Sequence, residues 1–354
     1  MGRWAERQEK DITGMMHNQD KKKRVLVTGG TGFLGAYIIR ELVEKGYAVR
    51  AIRRSTTLPA FIPADVLRQV EWVTGDVLDV VGLEDAMEDM DAVIHAAAKV
   101  SFVGHDRHEL FKTNVEGTAN VVNIALIKNI KRFIHISSVA SLGRMGQGET
   151  VTEDRSWEES KYNTTYAVSK FRGEVEVWRA IGEGLPAVIV NPSTLLGYGD
   201  WQSSSCALFR NAFREFPWYT EGVNGFVDVT DTARAIVLLL ESDISGERFI
   251  LNGDNWTFRR LFETIAAGFG KKPPSREATP TLAGIAWRME KVKSLFTGRP
   301  SLLTRESARV AQSSTYFDNS KILQQLPGFH FTPLEIIIKD ACNAYLQQLK
   351  APTG

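Results

Sequence analysis

Short apolar runs and longer stretches of helical periodicity alternate along the chain from residue 24 onward. The apolar runs are rich in β-branched residues, which predicts buried strands, and the stretches between them predict helices. The first strand is predicted from Arg24 to Thr28, and a helix follows over 33–45. This alternation predicts βαβ units and a doubly wound parallel sheet with helices on both faces. Later strands are predicted at 47–53, 70–74, 91–95, 132–137 and 187–191, and later helices at about 107–129 and 162–181.

The alternation breaks after Asn191-Pro192, where residues 193–222 become rich in Gly, Ser and aromatic side chains. A strand-then-helix pattern returns at 226–241, and Asp231 is expected to cap that helix. We therefore expect an α/β fold, a Rossmann domain with a smaller, mostly helical C-terminal substrate domain. The expected divisions are a disordered extension or tag over 1–23, the Rossmann domain over 24–192 plus 226–252, and the substrate domain over 193–225 plus 253–350.

Composition argues against several classes of partner. The 354 residues carry 43 basic and 42 acidic side chains, a formal charge of +1, which gives no reason to expect a nucleic-acid or membrane partner. Cys206 and Cys342 stand far apart without metal-ligand spacing, so we expect neither a disulfide nor a metal site, and a cytoplasmic location fits. No apolar run reaches the length of a membrane span. The expected partner is therefore a small molecule.

A glycine-rich turn follows the first predicted strand and opens the first predicted helix. Gly29, Gly32 and Gly35 stand three residues apart in the segment 28–35. The first glycine permits a tight turn, the second lets the backbone approach a pyrophosphate, and the third allows close packing of the helix. The phosphates would meet unpaired N–H groups at the positive end of the helix dipole. The position of this motif in a βαβ unit predicts a dinucleotide site.

The end of the second predicted strand distinguishes the two nicotinamide cofactors. A carboxylate there would bind an adenosine ribose 2′-hydroxyl, whereas a guanidinium accommodates a 2′-phosphate. The sequence has no acid at this point and carries Arg53 and Arg54. Because a guanidinium matches phosphate geometry with two parallel hydrogen bonds, the sequence favours NADP(H) over NAD(H).

Further cofactor contacts are expected at the ends of successive strands. Asp76 would place a carboxylate beside the adenine amino group, and the small side chains of 96–98 would let the dinucleotide lie on the sheet edge. The residues expected to bind the cofactor are Gly29, Thr31, Gly32, Phe33, Leu34, Gly35, Arg53, Arg54, Asp76, Val77, Ala96, Ala97, Ala98, Tyr166, Lys170, Pro192 and Ser193.

Tyr166 and Lys170 stand four residues apart and so share one face of a predicted helix. A free tyrosine has a pKa of about 10, too high for efficient proton transfer near neutrality. A neighbouring ammonium and a positive nicotinamide ring would lower this pKa. Ser138, at the end of the fifth strand, would donate a hydrogen bond to the same substrate oxygen. The pattern predicts proton transfer to a carbonyl, or from an alcohol, while a hydride moves at carbon.

From residue 24 to about 350 the sequence resembles the extended short-chain dehydrogenase/reductase family. The resemblance rests on the glycine turn, Asp76, the segment 95–98, Ser137-Ser138, the Tyr166–Lys170 pair and Asn191-Pro192. It implies that Ser138, Tyr166 and Lys170 form the catalytic triad, with Lys170 also holding the nicotinamide ribose. It implies for Asn114 structural support or a water-borne proton relay. It also implies a homodimer formed through the helices at 107–129 and 162–181.

This chain lacks residues that are typical of two branches of that family. Dehydratases place an Asp-Glu pair where this chain has Val139-Ala140, and nucleotide-sugar epimerases an Arg where it has Asn224. The sequence is most similar to the dihydroflavonol reductase-like and 3β-hydroxysteroid dehydrogenase-like branch. The aromatic residues that could line an apolar pocket there, or could instead pack the second domain, are Phe102, Trp201, Phe209, Phe216, Trp218 and Tyr219.

Three functions stay open at this point. The first is an NADP(H)-dependent oxidoreductase that acts on the carbonyl or secondary alcohol of an uncharged, apolar substrate. The second is a nucleotide-sugar epimerase that works by transient oxidation and retains its cofactor. The third is a dinucleotide-sensing protein without catalysis, against which the presence of both Tyr166 and Lys170 argues.

Overall fold

The computed structural model describes residues 22–102, 106–143, 148–160, 162–279, 282 and 305–350. The extension expected over 1–23 lies outside these ranges, apart from its last two residues.

A seven-stranded parallel sheet forms the centre of the fold, in the order β11-β7-β5-β4-β1-β2-β3. Its strands are β1 Arg24–Thr28, β2 Ala48–Arg53, β3 Glu71–Thr74, β4 Ala92–His95, β5 Arg132–Ile136, β7 Ala187–Pro192 and β11 Glu247–Leu251. The other strands are β6 Glu149–Val151, β8 Thr194–Leu196, β9 Trp218–Tyr219, β10 Val223–Asp228, β12 Asp254–Thr257, β13 Arg276–Glu277 and β14 Thr315–Phe317. The expected doubly wound α/β architecture is confirmed.

Helices cover both faces of this sheet, which is why its central strands are mostly apolar. In β1, Val25 and Val27 pack in the core under the helices at 33–44 and 229–241, whereas Leu26 packs in the core under the helices at 80–87, 117–127 and 165–182. The helices are α1 Phe33–Glu44, α2 Ala64–Leu67, α3 Val80–Met87, α4 Arg107–Phe111, α5 Gly117–Ile127, α6 Thr165–Gly182, α7 Ala207–Phe213, α8 Val229–Glu241, α9 Phe258–Gly268, α10 Arg305–Gln312, α11 Ser320–Gln325 and α12 Leu334–Lys350.

A second layer stands at one end of the sheet and contains strands as well as helices. Strands β8, β10 and β12 form a separate three-stranded sheet, so the strand before α8 does not join the large sheet. The reason lies in the packing of β10: Phe226 is buried in a third core with Phe209, Trp256 and Tyr345. The division into two domains stays a prediction.

Helix α8 corrects one expectation. Its N-cap is Asp228, whose carboxylate accepts a hydrogen bond from the backbone N–H of Asp231. Asp231 lies inside the first turn and forms a 2.9 Å ion pair with Arg234. The expectation that Asp231 caps the helix was therefore wrong, because the chain enters the helix one turn earlier than the sequence pattern suggested.

Within the described ranges, none of the helices has the length and apolar content needed to cross a bilayer. The same ranges hold no group of three or more His, Cys, Asp or Glu residues arranged to bind a metal ion. Cys206 and Cys342 are both buried and free.

Candidate active site

The carboxyl ends of β1 and β4 meet at the point where the strand order of the large sheet reverses. In doubly wound sheets, ligands bind in the crevice at this point. The glycine turn follows β1, the segment 96–102 follows β4, and Ser138 follows β5. Most of the residues singled out from the sequence are therefore brought to one edge of the sheet.

The glycine turn packs too closely for any side chain at two of its positions. Gly29 has a φ of +72°, and a Cβ there would lie 2.6 Å from the backbone of Ala96 and Ala97. A Cβ on Gly35 would lie 2.1 Å from the carbonyl oxygen of Gly29. No side chain caps the N-terminus of α1, whose N-cap residue is Gly32. The first-turn N–H groups of α1 are thus left for an anion, which fits the pyrophosphate of a dinucleotide.

A cleft lies along this turn and brings together nine of the residues expected to bind cofactor. They are Gly29, Thr31, Gly32, Arg54, Asp76, Val77, Ala96, Ala97 and Ala98. The cleft also contains Ile52, Gly75 and Thr113, which the sequence analysis did not name. Ile52 and Gly75 directly precede expected residues at the ends of β2 and β3, so strand-end position was the signal that could have found them.

The two arginines after β2 differ in their surroundings. Arg54 lines the cleft, keeps 78% of its side chain exposed and lies 4.0 Å from the Asp76 carboxylate. Arg53 points elsewhere: its guanidinium lies over the ring of Trp72 and donates a 3.4 Å hydrogen bond to the carbonyl of Thr56. Arg54 is therefore the guanidinium that can reach a phosphate in the cleft.

Tyr166 and Ser138 are hydrogen-bonded to each other across the gap between α6 and the end of β5. The Ser138 hydroxyl also accepts a 3.2 Å hydrogen bond from the N–H of Ala140 and so caps the short 3₁₀ turn 139–142. Burial raises the pKa of Tyr166, and the hydrogen bond with Ser138 opposes this rise. In the protein alone, desolvation of the phenolate outweighs this contact, and the lowering expected beside a bound nicotinamide stays a prediction.

Lys170 lies one turn after Tyr166 and is 3% exposed. Its ammonium donates a 2.8 Å hydrogen bond to the carbonyl of Ile136, at the end of β5. Burial lowers the pKa of Lys170 to about 8, against the opposing charge of Glu174. Two buried histidines on the adjacent strands, His95 and His135, have lowered pKa values through burial and the nearby ammonium, so both are neutral.

Asn114 is fixed by its own hydrogen bonds and by an irregular helix. It lies in a π-helical stretch, Lys112–Glu116, between α4 and α5. Its side chain pairs with the backbone of Lys99 in both directions, at 2.8 and 2.9 Å, and donates to the Ser169 hydroxyl at 2.9 Å. Asn114 also packs directly against α6, since a Cβ on Gly173 would lie 2.2 Å from the Asn114 carbonyl oxygen. Asn114 therefore connects the segment after β4 to α6.

Of the aromatic residues considered for a pocket, Phe102 approaches the reactive groups. Its ring meets that of Tyr166 edge-to-face at 5.9 Å between centroids. Phe209 is fully buried and Trp201 packs on Tyr345, so both belong to the core of the second layer. Phe216 is largely exposed.

Sequence reasoning missed Glu174, a buried carboxylate on the same face of α6 as Tyr166 and Lys170. It accepts hydrogen bonds from Ser137 and Ser141, which flank Ser138. An acidic residue at four- and eight-residue spacing from the other two was the available signal, since such spacing marks one helix face.

Comparisons with known proteins agree with this geometry. The family described as "NAD dependent epimerase/dehydratase family" matches residues 25–251. A Synechocystis sp. protein, provisionally assigned as a dihydroflavonol 4-reductase, is 32% identical over 90% of this chain and 93% of its own length. Sterol demethylase protein B of Methylococcus capsulatus is 30% identical over 85% and 92%.

Solved structures show the same fold. The structure of gox2253 superposes with a TM-score of 0.77 at 30% identity, covering 92% of this chain and 99% of the other. UDP-glucose 4-epimerase of Thermotoga maritima has a TM-score of 0.74 at 20% identity, covering 92% and 100%. The resemblance read from the motifs is thus confirmed, and relatives of the chain include dehydrogenases that act on CH–OH groups. The chain belongs to the NAD-dependent epimerase/dehydratase family of extended short-chain dehydrogenases/reductases.

Proposed function

We propose that the protein transfers a hydride between NADP(H) and the carbonyl or secondary alcohol of an uncharged, apolar substrate. The observation that supports this most strongly is the convergence of Ser138, Tyr166 and Lys170 at the sheet edge that also carries the glycine turn. Hydroxyl, phenol and ammonium together can hold a substrate oxygen and move one proton to or from it.

Each of the three residues has a separate task in this mechanism. When bound, the nicotinamide supplies or accepts the hydride at the substrate carbon. Tyr166 donates its phenolic proton to the carbonyl oxygen in reduction and removes a proton from the hydroxyl in oxidation. Ser138, already hydrogen-bonded to Tyr166, stabilises charge on the same oxygen. Lys170 holds the nicotinamide ribose and favours the phenolate by its charge.

The proposed NADP(H) preference rests on Arg54 in the cleft. A 2′-phosphate placed there would replace the exposed, 4.0 Å pairing of Arg54 with Asp76 by a charge-assisted contact. The last residue of β2 is Arg53, where NAD(H)-binding proteins of this fold carry the carboxylate that binds the adenosine ribose 2′-hydroxyl.

Two observations support a neutral, apolar substrate. Phe102 presents an aromatic ring beside Tyr166. Asn224, at the position where nucleotide-sugar epimerases carry an arginine, is buried and donates a 2.7 Å hydrogen bond to Thr194. Relatives named for ring-containing alcohols, dihydroflavonols and 3β-hydroxysteroids, agree with these two observations. The homodimer implied by the resemblance stays a prediction.

A panel of dihydroflavonols, 3-ketosteroids and aromatic aldehydes, offered with NADPH, tests the proposal. We expect at least one to be reduced with one NADPH oxidised per product, followed at 340 nm. Isomerisation of a UDP-hexose with no net change at 340 nm would instead establish the epimerase. Tight dinucleotide binding with no turnover of any compound in either panel would favour a sensing role.

A further inference from the structure

Glu174 is a carboxylate enclosed by donors. It is 1% exposed, and its Oε2 accepts hydrogen bonds from Ser137 Oγ at 2.7 Å and Ser141 Oγ at 2.6 Å. The same oxygen accepts a third from Asn191 Nδ2 at 2.9 Å. Its Oε1 pairs with Arg248 at 3.1 Å. These five residues, the Glu174 cluster, come from the position directly after β5, the 3₁₀ turn, α6, β7 and β11.

A buried carboxylate destabilises the folded protein unless its oxygens accept hydrogen bonds and a cation lies near. Removing a carboxylate from water costs several kcal/mol, which only good hydrogen bonds and a cation offset. Apolar residues of similar volume would fill the same space without this cost. Trp178 adds a further donor to Oε1 at 3.3 Å, so the site is built around the negative charge. A specific task of that charge accounts for its presence in the interior better than stability does.

The Glu174 cluster holds the turn that carries Ser138. The Ser138 carbonyl accepts a hydrogen bond from Asn191 Nδ2 at 3.1 Å and lies 2.8 Å from Ser141 Oγ, whose single proton is within reach of both this carbonyl and Glu174. Both side chains also lie within hydrogen-bond distance of Glu174. Glu174 lies on α6, which also carries Tyr166, so the carboxylate fixes the Ser138 turn relative to the phenol. Displacing a reacting group by about 1 Å can cost about a hundredfold in rate.

The same charge acts on Lys170, one turn away. The titratable groups around Lys170 in the described ranges are Tyr166 and Glu174 on α6, His95 on β4 and His135 on β5. The histidines are neutral, and Glu174 supplies the negative charge that raises the pKa of Lys170 against burial.

We propose that Glu174 is a positioning residue, which holds Ser138 in register with Tyr166 and stabilises the Lys170 ammonium that grips the nicotinamide ribose. This inference rests on the proposed function, since it assigns Glu174 a part in the same reaction. Glu174 touches neither substrate nor cofactor in this scheme and acts through Ser138 and Lys170, which do.

Glu174→Gln tests the proposal, with Glu176→Gln as its matched control. Glu176 is a carboxylate on the same helix that pairs with Arg179 near the surface, away from the site. The measurements are the dissociation constant of NADPH between pH 6 and 9.5, and kcat and KM with a substrate from the carbonyl panel. For the wild type, NADPH binding should weaken as pH rises through about 8, where Lys170 loses its proton.

In Glu174→Gln we expect that midpoint to fall by about one pH unit and kcat to fall at least about tenfold, with KM changed less than about threefold. Glu176→Gln should match the wild type in each quantity. A merely structural residue would lower the melting temperature without moving the midpoint. A folded Glu174→Gln protein with wild-type midpoint and kcat would overturn the proposal.

A milder variant keeps the test decisive if Glu174→Gln does not fold. Ser141→Ala removes the hydroxyl whose proton is within reach of both Glu174 and the Ser138 carbonyl, but it leaves the charge of Glu174. We expect kcat to fall several-fold at an unchanged pH midpoint, and an unchanged kcat would refute the positioning role. A wild-type protein that neither binds NADPH nor reduces any carbonyl would instead refute the proposed function, so the two failures are distinguishable.

Discussion

Replacing Arg54 by alanine should convert the protein from one that prefers NADPH to one that barely distinguishes the two cofactors. Arg54 lines the cleft with most of its side chain exposed, and Asp76, at 4.0 Å, is its only ion-pair partner among the described residues. NADH lacks the 2′-phosphate, so it has little to lose from the substitution.

The size of the effect follows from the two contacts that Arg54 exchanges. Hydrogen bonds to a charged group contribute about 1.5–3 kcal/mol, whereas an exposed ion pair contributes about 0–1 kcal/mol. The net loss is therefore about 1.5–2 kcal/mol, which weakens NADPH binding about 10- to 30-fold. Arg53→Ala should cost only about threefold, because that guanidinium is engaged with Trp72 and Thr56.

Calorimetric titration with NADPH and NADH gives both affinities on one preparation. Arg260→Ala is the control, since Arg260 is an exposed arginine that pairs with Glu335 on α12, away from the cleft. Raising the salt concentration should narrow the wild-type preference as well, because an exposed charge pair is screened. Equal losses of NADPH and NADH affinity in Arg54→Ala, or no loss, would refute the reasoning.

Three further predictions concern the scaffold. Gly35→Ala should weaken NADPH binding at least about a hundredfold, because the new Cβ would lie 2.1 Å from the Gly29 carbonyl oxygen. Gly182→Ala is the control: its Cβ would have no atom within 4 Å, and the variant should bind NADPH normally in the same titration. The pKa of Lys170 is about 8 in the folded protein, against 10.5 for a free lysine. Between these two pH values the unfolded chain holds a proton that the folded protein has released, so the free energy of unfolding rises with pH. Urea unfolding should show the wild type gaining about 2 kcal/mol between pH 8 and 10 relative to Lys170→Met, and parallel pH profiles would contradict this. Glu306 accepts hydrogen bonds from the N–H and hydroxyl of the first residue of α6. Glu306→Ala should lower the free energy of unfolding in urea by about 1 kcal/mol, and Glu306→Gln should lower it less. Equal losses in the two variants would contradict this prediction of their relative effects.

The sequence was sufficient for the features that local pattern determines. Six strands of the large sheet were predicted to within one residue at both ends, because apolar runs covered on both faces carry a strong signal. The glycine turn, Ser138 and the Tyr166–Lys170 pair were found because strand-end position and helical spacing limit where they can lie.

Features that depend on distant segments could not be read in advance. The strand-then-helix pattern at 226–241 was assigned to the Rossmann domain, but its strand, β10, pairs antiparallel with β12 and buries Phe226 in the core of the second layer. The Glu174 cluster draws on elements more than a hundred residues apart, and no local pattern connects Arg248 to Ser137. The burial of Tyr166 was not predicted either, because spacing shows which charges are near the phenol but not how far burial raises its pKa.

The part of Tyr166 in proton transfer is tested most directly by Tyr166→Phe, which removes one oxygen and leaves the ring beside Phe102. The measurement is the single-turnover rate of NADPH oxidation with a carbonyl substrate, together with the dissociation constant of NADPH on the same preparation. We expect the rate to fall about 10²- to 10⁴-fold while the dissociation constant changes less than about threefold. A variant that oxidises NADPH at the wild-type rate would contradict the assignment of the proton to this phenol.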